Sequence, residues 1–211
     1  MSESKLLARR TKVKICGLTR KEDVEAVNCA RPEYIGFVFA PSRRRVDRET
    51  AGKLKAMLDP GIEAVGVFVN EDIRFIARIY REGVIDLVQL HGDEDDLYIR
   101  RLKEHCGCRV IKAIGVGEEL PALPETPDFL LFDTLTEQRG GAGRAFGWNL
   151  LHGYNGLPFF LAGGLSAANA AEALRHCAPY CADVSSGVET DGRKDIEKIN
   201  AFISSVREAK G

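Results

Sequence analysis

The sequence has almost no net charge and no long apolar run. Its 30 basic and 31 acidic residues nearly cancel and are spread along the chain, so no overall field favours nucleic acid or an anionic membrane. The N-terminal segment MSESKLLARRTK has one short apolar stretch, Leu6 to Ala8, and lacks the apolar core of a signal peptide or membrane anchor. We therefore expect a cytoplasmic protein without nucleic-acid or membrane partners, and a flexible extension over residues 1–11.

The cysteines lack any ordered spacing. No CxxC pair occurs among the six, and a chain of 211 residues buries a core large enough to need no disulfides. Two clusters of histidine and cysteine, residues 105–108 and 176–181, could be combined into a zinc site, but neither has the usual ligand spacing. We expect no metal, and reduced thiols at Cys16, Cys29, Cys106, Cys108, Cys177 and Cys181.

Short β-branched or aromatic runs alternate with amphipathic stretches of helical period, which is typical of βαβ units and a parallel sheet. The short runs are nearly all apolar, which indicates strands covered on both faces. Eight strands are predicted, at Val13–Cys16, Tyr34–Phe39, Ala64–Val69, Leu87–His91, Arg109–Ile114, Phe129–Phe132, Pro158–Ala162 and Cys181–Ser185.

Helices are predicted between the strands. They lie near Arg20–Cys29, Arg48–Met57, Glu71–Glu82, Glu94–Glu104, Phe146–Leu151, Ala167–Cys177 and Asp195–Lys210, with a weak fifth helix near Gly117–Ala122. The fifth is weak because Pro121, Pro124 and Pro127 interrupt its pattern.

Eight such units in 211 residues favour a single-domain (β/α)8 (TIM) barrel over residues 12–211, with eight parallel strands and a degenerate fifth helix. A doubly wound open sheet is the structural alternative. It usually has fewer strands and a GxGxxG fingerprint, whereas KICGLTR at the first strand has one glycine.

Polar residues interrupt the apolar pattern at the predicted carboxyl ends of the strands, where barrel enzymes carry their reacting groups. Cys16 ends the first strand between Lys14 and Arg20, whose charges would favour a thiolate that acts as nucleophile or general base. A small buried hydrophobic cysteine is the alternative.

Asp133 ends the sixth strand after four apolar residues in FLLFD, so its carboxyl group must find partners or keep its proton. An aspartate that keeps its proton is a suitable general acid. The alternative is an aspartate that caps a helix or braces a loop.

Features for binding an anion lie at other strand ends. Gly163-Gly164 and Ser186-Gly187 end strands seven and eight, where many barrels bind phosphate through backbone N–H groups. Tight turning explains each glycine pair equally well. One guanidinium of Arg43-Arg44-Arg45 would suit a carboxylate or phosphate, against the alternative of a solvated loop. The long glycine-rich segment TLTEQRGGAGRAFGW after strand six is interpreted as a loop that covers the substrate, with a flexible insertion as the alternative.

Seven motifs together resemble one enzyme family over almost the whole chain, from Lys12 to Glu189. They are KICGLTR, YIGFVF followed by PSRRRV, VGVFVN, VQLHGDE, FDT followed by GGAGRAFGW, LAGGLSAANA, and ADVSSGVE. Their order and spacing are similar to those of phosphoribosylanthranilate isomerases of tryptophan biosynthesis.

The resemblance implies an Amadori rearrangement of N-(5-phosphoribosyl)anthranilate, a small phosphorylated substrate, without metal or organic cofactor. Asp133 matches the family's general acid, which opens the ribose ring, and Cys16 matches its general base, which removes the C2′ proton. A monomer or a homodimer is expected.

The resemblance also implies binding residues. Arg44 should hold the anthranilate carboxylate, while His91 and Asp183 should contribute to substrate binding. The phosphate should be surrounded by Gly141, Ala142, Gly143, Gly163, Gly164, Ser186 and Gly187. The chain departs from the family pattern at Arg43, Arg144 and Gly147, and Gly147 removes a carboxylate that would cap the sixth helix.

Two other functions are alternatives. Another phosphosugar barrel would need metal-binding histidines and acids, or several lysines, at the strand ends. Of the strand-end residues, His91 alone does not supply the first set, and only Lys14 and Lys112 qualify for the second. A redox-sensing binding module would use the thiols and need no carboxylate opposite Cys16.

Overall fold

The computed structural model describes residues 10–134 and 147–209. Eight parallel strands form a closed barrel in chain order, and β1 pairs with both β2 and β8. The strands are β1 Lys12–Cys16, β2 Tyr34–Val38, β3 Glu63–Phe68, β4 Leu87–Leu90, β5 Arg109–Val116, β6 Phe129–Thr134, β7 Phe159–Leu161 and β8 Cys181–Val184. The predicted barrel and its eight strands are confirmed.

Six α-helices cover the outside of the barrel within the described residues: α1 Lys21–Ala30, α2 Arg48–Lys55, α3 Ile73–Arg81, α4 Asp96–Cys106, α5 Ala170–Cys177 and α6 Ile196–Glu208. Among the residues described, no helix is both long and apolar enough to cross a membrane.

The fifth and sixth connections are irregular. The weak helix predicted near Gly117–Ala122 is wrong, because residues 117–128 form bends and irregular chain between β5 and β6. Proline lacks the N–H that a helix interior needs, and three prolines in this stretch account for the difference. Before β7 a short 3₁₀ helix, Trp148–Leu151, stands at the predicted sixth helix; it begins after Gly147, which offers no capping side chain.

Two hydrophobic clusters build the core. The larger lies between the strands and the helices, and the smaller fills the barrel. Every strand from β2 to β8 contributes to the inner cluster, whose buried members are Tyr34, Val65, Leu87, Ile111, Leu131, Phe160, Ala162 and Cys181. Because successive side chains point to opposite faces of a strand, residues two positions after these also point inward, nearer the carboxyl end of the barrel.

A two-stranded antiparallel hairpin follows β8. Its strands are β9 Glu189–Thr190 and β10 Arg193–Lys194, with Lys194 directly opposite Glu189. Asp191 and Gly192 form the turn, both with positive φ, as Asp-Gly hairpin turns require. The hairpin places Glu189 and Lys194 beside the rim of the barrel, because Lys194 Nζ donates to the carbonyl oxygen of Ser185 at 2.9 Å.

Candidate active site

Polar side chains replace the apolar lining at the carboxyl end of the barrel. The alternation of the strands turns Lys14 and Cys16 of β1 inward, with Gln89 and His91 from β4, Asp133 of β6 and Asp183 of β8. Cys16 and Asp133 are three strand positions apart around the ring of eight. They therefore approach the mouth of the barrel from well-separated directions.

Cys16 is partly exposed at the end of β1. The absence of a side chain at Gly36 on β2 makes room for it, because a Cβ there would lie 2.7 Å from Cys16 Sγ. Burial raises the pKa of the Cys16 thiol, and the positive charges of Lys14 and Lys194 only partly offset that effect. The predicted contribution of Arg20 to the thiolate finds no support, since Arg20 Nη2 pairs with Asp23 Oδ1 at 2.6 Å.

A buried ion pair lies beside Cys16. Lys14 and Asp183 are register partners on β1 and β8, and Lys14 Nζ donates to Asp183 Oδ2 at 2.9 Å. Burial raises the pKa of Asp183, and the Lys14 ammonium opposes this shift. Burial lowers the pKa of Lys14, but the charges of Asp183 and Cys16 outweigh that effect, so its pKa is raised. Asp183 Oδ1 is buried and has no partner within the described part of the chain, so it is available to a hydrogen-bond donor of a ligand.

A second polar chain reaches Asp133 from β4. Gln89 Nε2 donates to His91 Nδ1 at 2.9 Å, which leaves His91 Nε2 facing Asp133 Oδ2 at 3.5 Å. The other carboxylate oxygen, Asp133 Oδ1, accepts a 2.8 Å hydrogen bond from the N–H of Thr134. Asp133 remains 22% exposed and His91 26% exposed, so both can be reached from the mouth of the barrel.

The glycine-bearing ends of β7 and β8 are neighbours in the sheet. Gly163 and Gly164 both have positive φ, at 84° and 71°. Ser186 and Gly187 lie in a 3₁₀ helix, Ser186–Val188, which packs against the carbonyl oxygen of Leu165. Four residues predicted to bind phosphate therefore lie together at adjacent strand ends. The other three, Gly141, Ala142 and Gly143, lie outside the described residues, as does Arg144.

Arg44 lies at the rim between β2 and the hairpin. Its side chain crosses Gly17, where a Cβ would overlap Arg44 Cδ. Arg44 Nε and Nη2 both donate to Glu189, at 2.6 and 2.9 Å. Arg43 is 63% exposed and also contacts Glu189, and Arg45 is exposed. Of the three arginines, Arg44 is the one most enclosed by the protein.

Some strand-end residues do not lie in this site. Lys112 shares a face of β5 with Val110 and Ile114, which belong to the outer cluster, so it points away from the barrel interior. There its Nζ donates to Glu94 Oε2 at 2.9 Å and to the Gly92 carbonyl oxygen at 2.7 Å. The histidine and cysteine clusters do not converge either: among residues 10–134 and 147–209, no group of three potential ligands could hold a metal.

Two residues of the rim were not predicted to have a role. Glu189 and Lys194 come from the hairpin, and the side chains of both are at least 95% buried. The Asp191-Gly192 dipeptide is a strong hairpin signal, and it could have indicated that these residues face each other.

A closed (β/α)8 barrel with a thiol, two carboxyl groups and glycine-rich strand ends around its mouth is typical of enzymes that act on small anionic molecules. Comparison with known proteins gives the family. The family described as "N-(5'phosphoribosyl)anthranilate (PRA) isomerase" matches residues 13–205. The chain therefore belongs to the N-(5′-phosphoribosyl)anthranilate isomerase family and is an isomerase.

Individual relatives agree with this assignment. The N-(5′-phosphoribosyl)anthranilate isomerase of Endomicrobium trichonymphae is 49% identical over 197 residues, which cover 93% of this chain and 98% of the relative. The crystal structure of phosphoribosyl anthranilate isomerase from Thermotoga maritima is 35% identical, with a TM-score of 0.81 over 93% of this chain and 98% of that one. A solved isomerase in complex with reduced 1-(o-carboxyphenylamino)-1-deoxyribulose 5-phosphate is 33% identical, with a TM-score of 0.78 and the same coverage.

Proposed function

We propose that this chain catalyses the Amadori rearrangement of N-(5-phosphoribosyl)anthranilate to 1-(2-carboxyphenylamino)-1-deoxyribulose 5-phosphate in tryptophan biosynthesis. Asp133 is the general acid and Cys16 the general base. The observation that carries the proposal is that both side chains stand at the mouth of one barrel, on β6 and β1, in a chain that the isomerase family matches over residues 13–205.

The proposed reaction needs one proton donor and one proton acceptor. Asp133 donates its proton to the ring oxygen of the ribose, the bond from that oxygen to C1′ breaks, and a protonated Schiff base forms. The Cys16 thiolate then takes the proton from C2′, and the electron pair of the C–H bond neutralises the nitrogen and gives an enolamine. Tautomerisation of the enolamine yields the ketose. No electrons enter or leave, so the sequence of steps needs no redox cofactor.

The surroundings of Cys16 support its role as a base. A thiol in the barrel must lose its proton before it can act, and Lys14 and Lys194 supply the positive charge that favours the thiolate. Burial raises the pKa of the same thiol, so the thiolate, once formed, is a stronger base than a free one. The proposed base therefore combines a small ionised fraction with high basicity.

The remaining polar groups fit the other parts of the substrate. Asp183 Oδ1, which has no hydrogen-bond partner among the residues that the structure describes, can accept from a sugar hydroxyl or from the amine, and His91 lies beside the proposed acid. Arg44 would bind the anthranilate carboxylate. Backbone N–H groups around Gly163, Gly164, Ser186 and Gly187, with those of residues 141–143, would bind the phosphate.

The test is turnover of N-(5-phosphoribosyl)anthranilate by the full chain, followed through loss of the substrate's fluorescence in buffer that contains a chelator. We expect multiple turnovers at an undiminished rate with chelator present. Absence of turnover by folded protein would contradict the proposed function. A rate that disappears with chelator and returns with a divalent metal would contradict the mechanism.

A further inference from the structure

Glu189 is the centre of a cluster of charges beside the proposed substrate site. Its carboxylate accepts from Arg44 Nε and Nη2, from Arg43 Nη2 at 3.0 Å, and from Lys194 Nζ at 2.8 Å. Burial alone would raise the pKa of Glu189, but the hydrogen bonds from Arg44 and Lys194 lower it to about 2. Glu189 is therefore a fixed anion at neutral pH, and its side chain is only 5% exposed.

The two contacts with Arg44 occupy one particular edge of the guanidinium. A guanidinium offers two edges for bidentate binding of a carboxylate, one formed by Nε and one Nη, the other by the two Nη atoms. Glu189 takes the first edge. The second edge has no partner among residues 10–134 and 147–209, and Arg44 is 17% exposed.

Other contacts hold Glu189 itself in place. Lys194 lies opposite Glu189 in the hairpin, is 1% exposed, and also donates to the Ser185 carbonyl oxygen at the end of β8. Ser185 Oγ in turn donates to the Cys16 carbonyl oxygen at 3.0 Å. Glu189 is thus connected through Lys194 and Ser185 to the end of β8 and to β1, the strand that carries the proposed base.

We propose that Glu189 is a positioning residue for substrate recognition: it holds the Nε edge of Arg44 so that the outer Nη edge is presented to the carboxylate of the substrate. This inference rests on the proposed function and adds to it the residue that prepares the carboxylate site before the substrate arrives. A long arginine side chain that is already oriented loses less conformational freedom on binding, so pre-organisation of this kind increases affinity.

The test is binding of two ligands that differ in one group. The first is reduced 1-(o-carboxyphenylamino)-1-deoxyribulose 5-phosphate, the ligand of a solved relative, and the second is the same compound without the carboxylate. Calorimetry would give dissociation constants for the parent, Glu189→Gln, Arg44→Ala and the double variant. Arg43→Ala is the matched control, because Arg43 contacts the same carboxylate but is 63% exposed.

We expect Glu189→Gln to weaken binding of the first ligand by about tenfold and of the second by less than about twofold. In the Arg44→Ala background the same change should have an effect below about twofold, because the Arg44 guanidinium that Glu189 orients is then absent. Arg43→Ala should bind both ligands as the parent does. Equal weakening for both ligands, no weakening for either, or additive effects in the double variant would each overturn the proposal.

Arg44→Lys provides a test that leaves Glu189 in place, so it does not depend on how well the Glu189 variants fold. A lysine keeps the charge but has no two-edged plane, so it cannot bind Glu189 and a second carboxylate in bidentate fashion. We expect about tenfold weaker binding of the carboxylated ligand alone, and parent affinity would refute the geometry. A parent protein that neither binds this ligand nor turns over the substrate would instead refute the proposed function.

Discussion

Replacing Gly163 by alanine should both destabilise the fold and disturb the proposed acid. Gly163 has φ of 84°, and an added Cβ would overlap Thr134 Oγ1 and lie 2.7 Å from the Thr134 nitrogen. It would also lie 3.0 Å from Asp133 Oδ1. The Thr134 nitrogen belongs to the end of β6, and displacing it would shift its N–H relative to the Asp133 carboxylate that it contacts.

The expected loss of stability follows from three terms. Left-handed backbone costs a non-glycine residue about 1–2 kcal/mol, and about 0.4–1 kcal/mol of this is offset because alanine has fewer unfolded conformations. Overpacking against fixed neighbours adds about 1–3 kcal/mol. Gly163→Ala should therefore lower the free energy of unfolding by about 1–5 kcal/mol, and kcat should fall by about tenfold or more, because the acid is misplaced.

Gly153 is the matched control. Its φ of 74° is similar, but an added Cβ would meet no atom within 4 Å. Gly153→Ala should cost at most about 1 kcal/mol and leave kcat unchanged. Urea unfolding followed by circular dichroism, together with kcat, compares the two. Similar losses in both variants would show that Gly163 is needed for its backbone conformation alone and that the close approach to Asp133 has no consequence.

Three further predictions concern charged groups. Asp133→Asn should lower kcat by about 10²–10⁴-fold, while its affinity for the reduced ligand stays near that of the parent. Near-parent turnover would show that Asp133 is not the acid and only braces the loop. Arg44→Ala should cost about 2–3 kcal/mol of transition-state binding, measured through kcat/KM. Arg45→Ala in the same loop should cost little. Equal small losses in both variants would favour a solvated loop. Because the pKa of Glu189 is lowered to about 2 from an ordinary value of 4.5, its ionised form stabilises the folded state above about pH 4.5, and this contribution is lost as the pH falls towards 2. Parent protein should therefore lose about 1–2 kcal/mol more than Glu189→Gln between pH 5 and about pH 2, and parallel stability curves would contradict the clustered ion pairs.

The strands could be predicted because they are largely buried on both faces and rich in apolar residues, many of them β-branched or aromatic. The prediction of Val13–Cys16 differs by one residue from Lys12–Cys16, and Pro158–Ala162 encloses Phe159–Leu161. An unbroken run of apolar residues does not show which side chains of the strand point into the barrel. Lys112 is among the lysines at the predicted strand ends. Successive residues of a strand point to opposite faces, however, and Lys112 lies on the outer face of β5.

Contacts between distant parts of the chain could not be predicted from the sequence. Arg44 and Glu189 are 145 residues apart, and their pairing depends on the closure of the barrel between β1 and β8 and on the hairpin beyond it. Likewise, the sequence shows Lys14 and Asp183 as isolated charges in apolar strands. Only the parallel register of β1 and β8 makes them partners.

The central claim is that Cys16 removes the proton from C2′ after the ring has opened. It is tested most directly by following exchange of the C2′ hydrogen with solvent, using substrate labelled with deuterium at C2′ and the folded Cys16→Ala variant beside the parent. The parent should release the label into water, because the thiol exchanges its proton with solvent, and Cys16→Ala should retain the label while keeping its affinity for the ligand. Release of the label by Cys16→Ala at the parent rate would show that another group is the base.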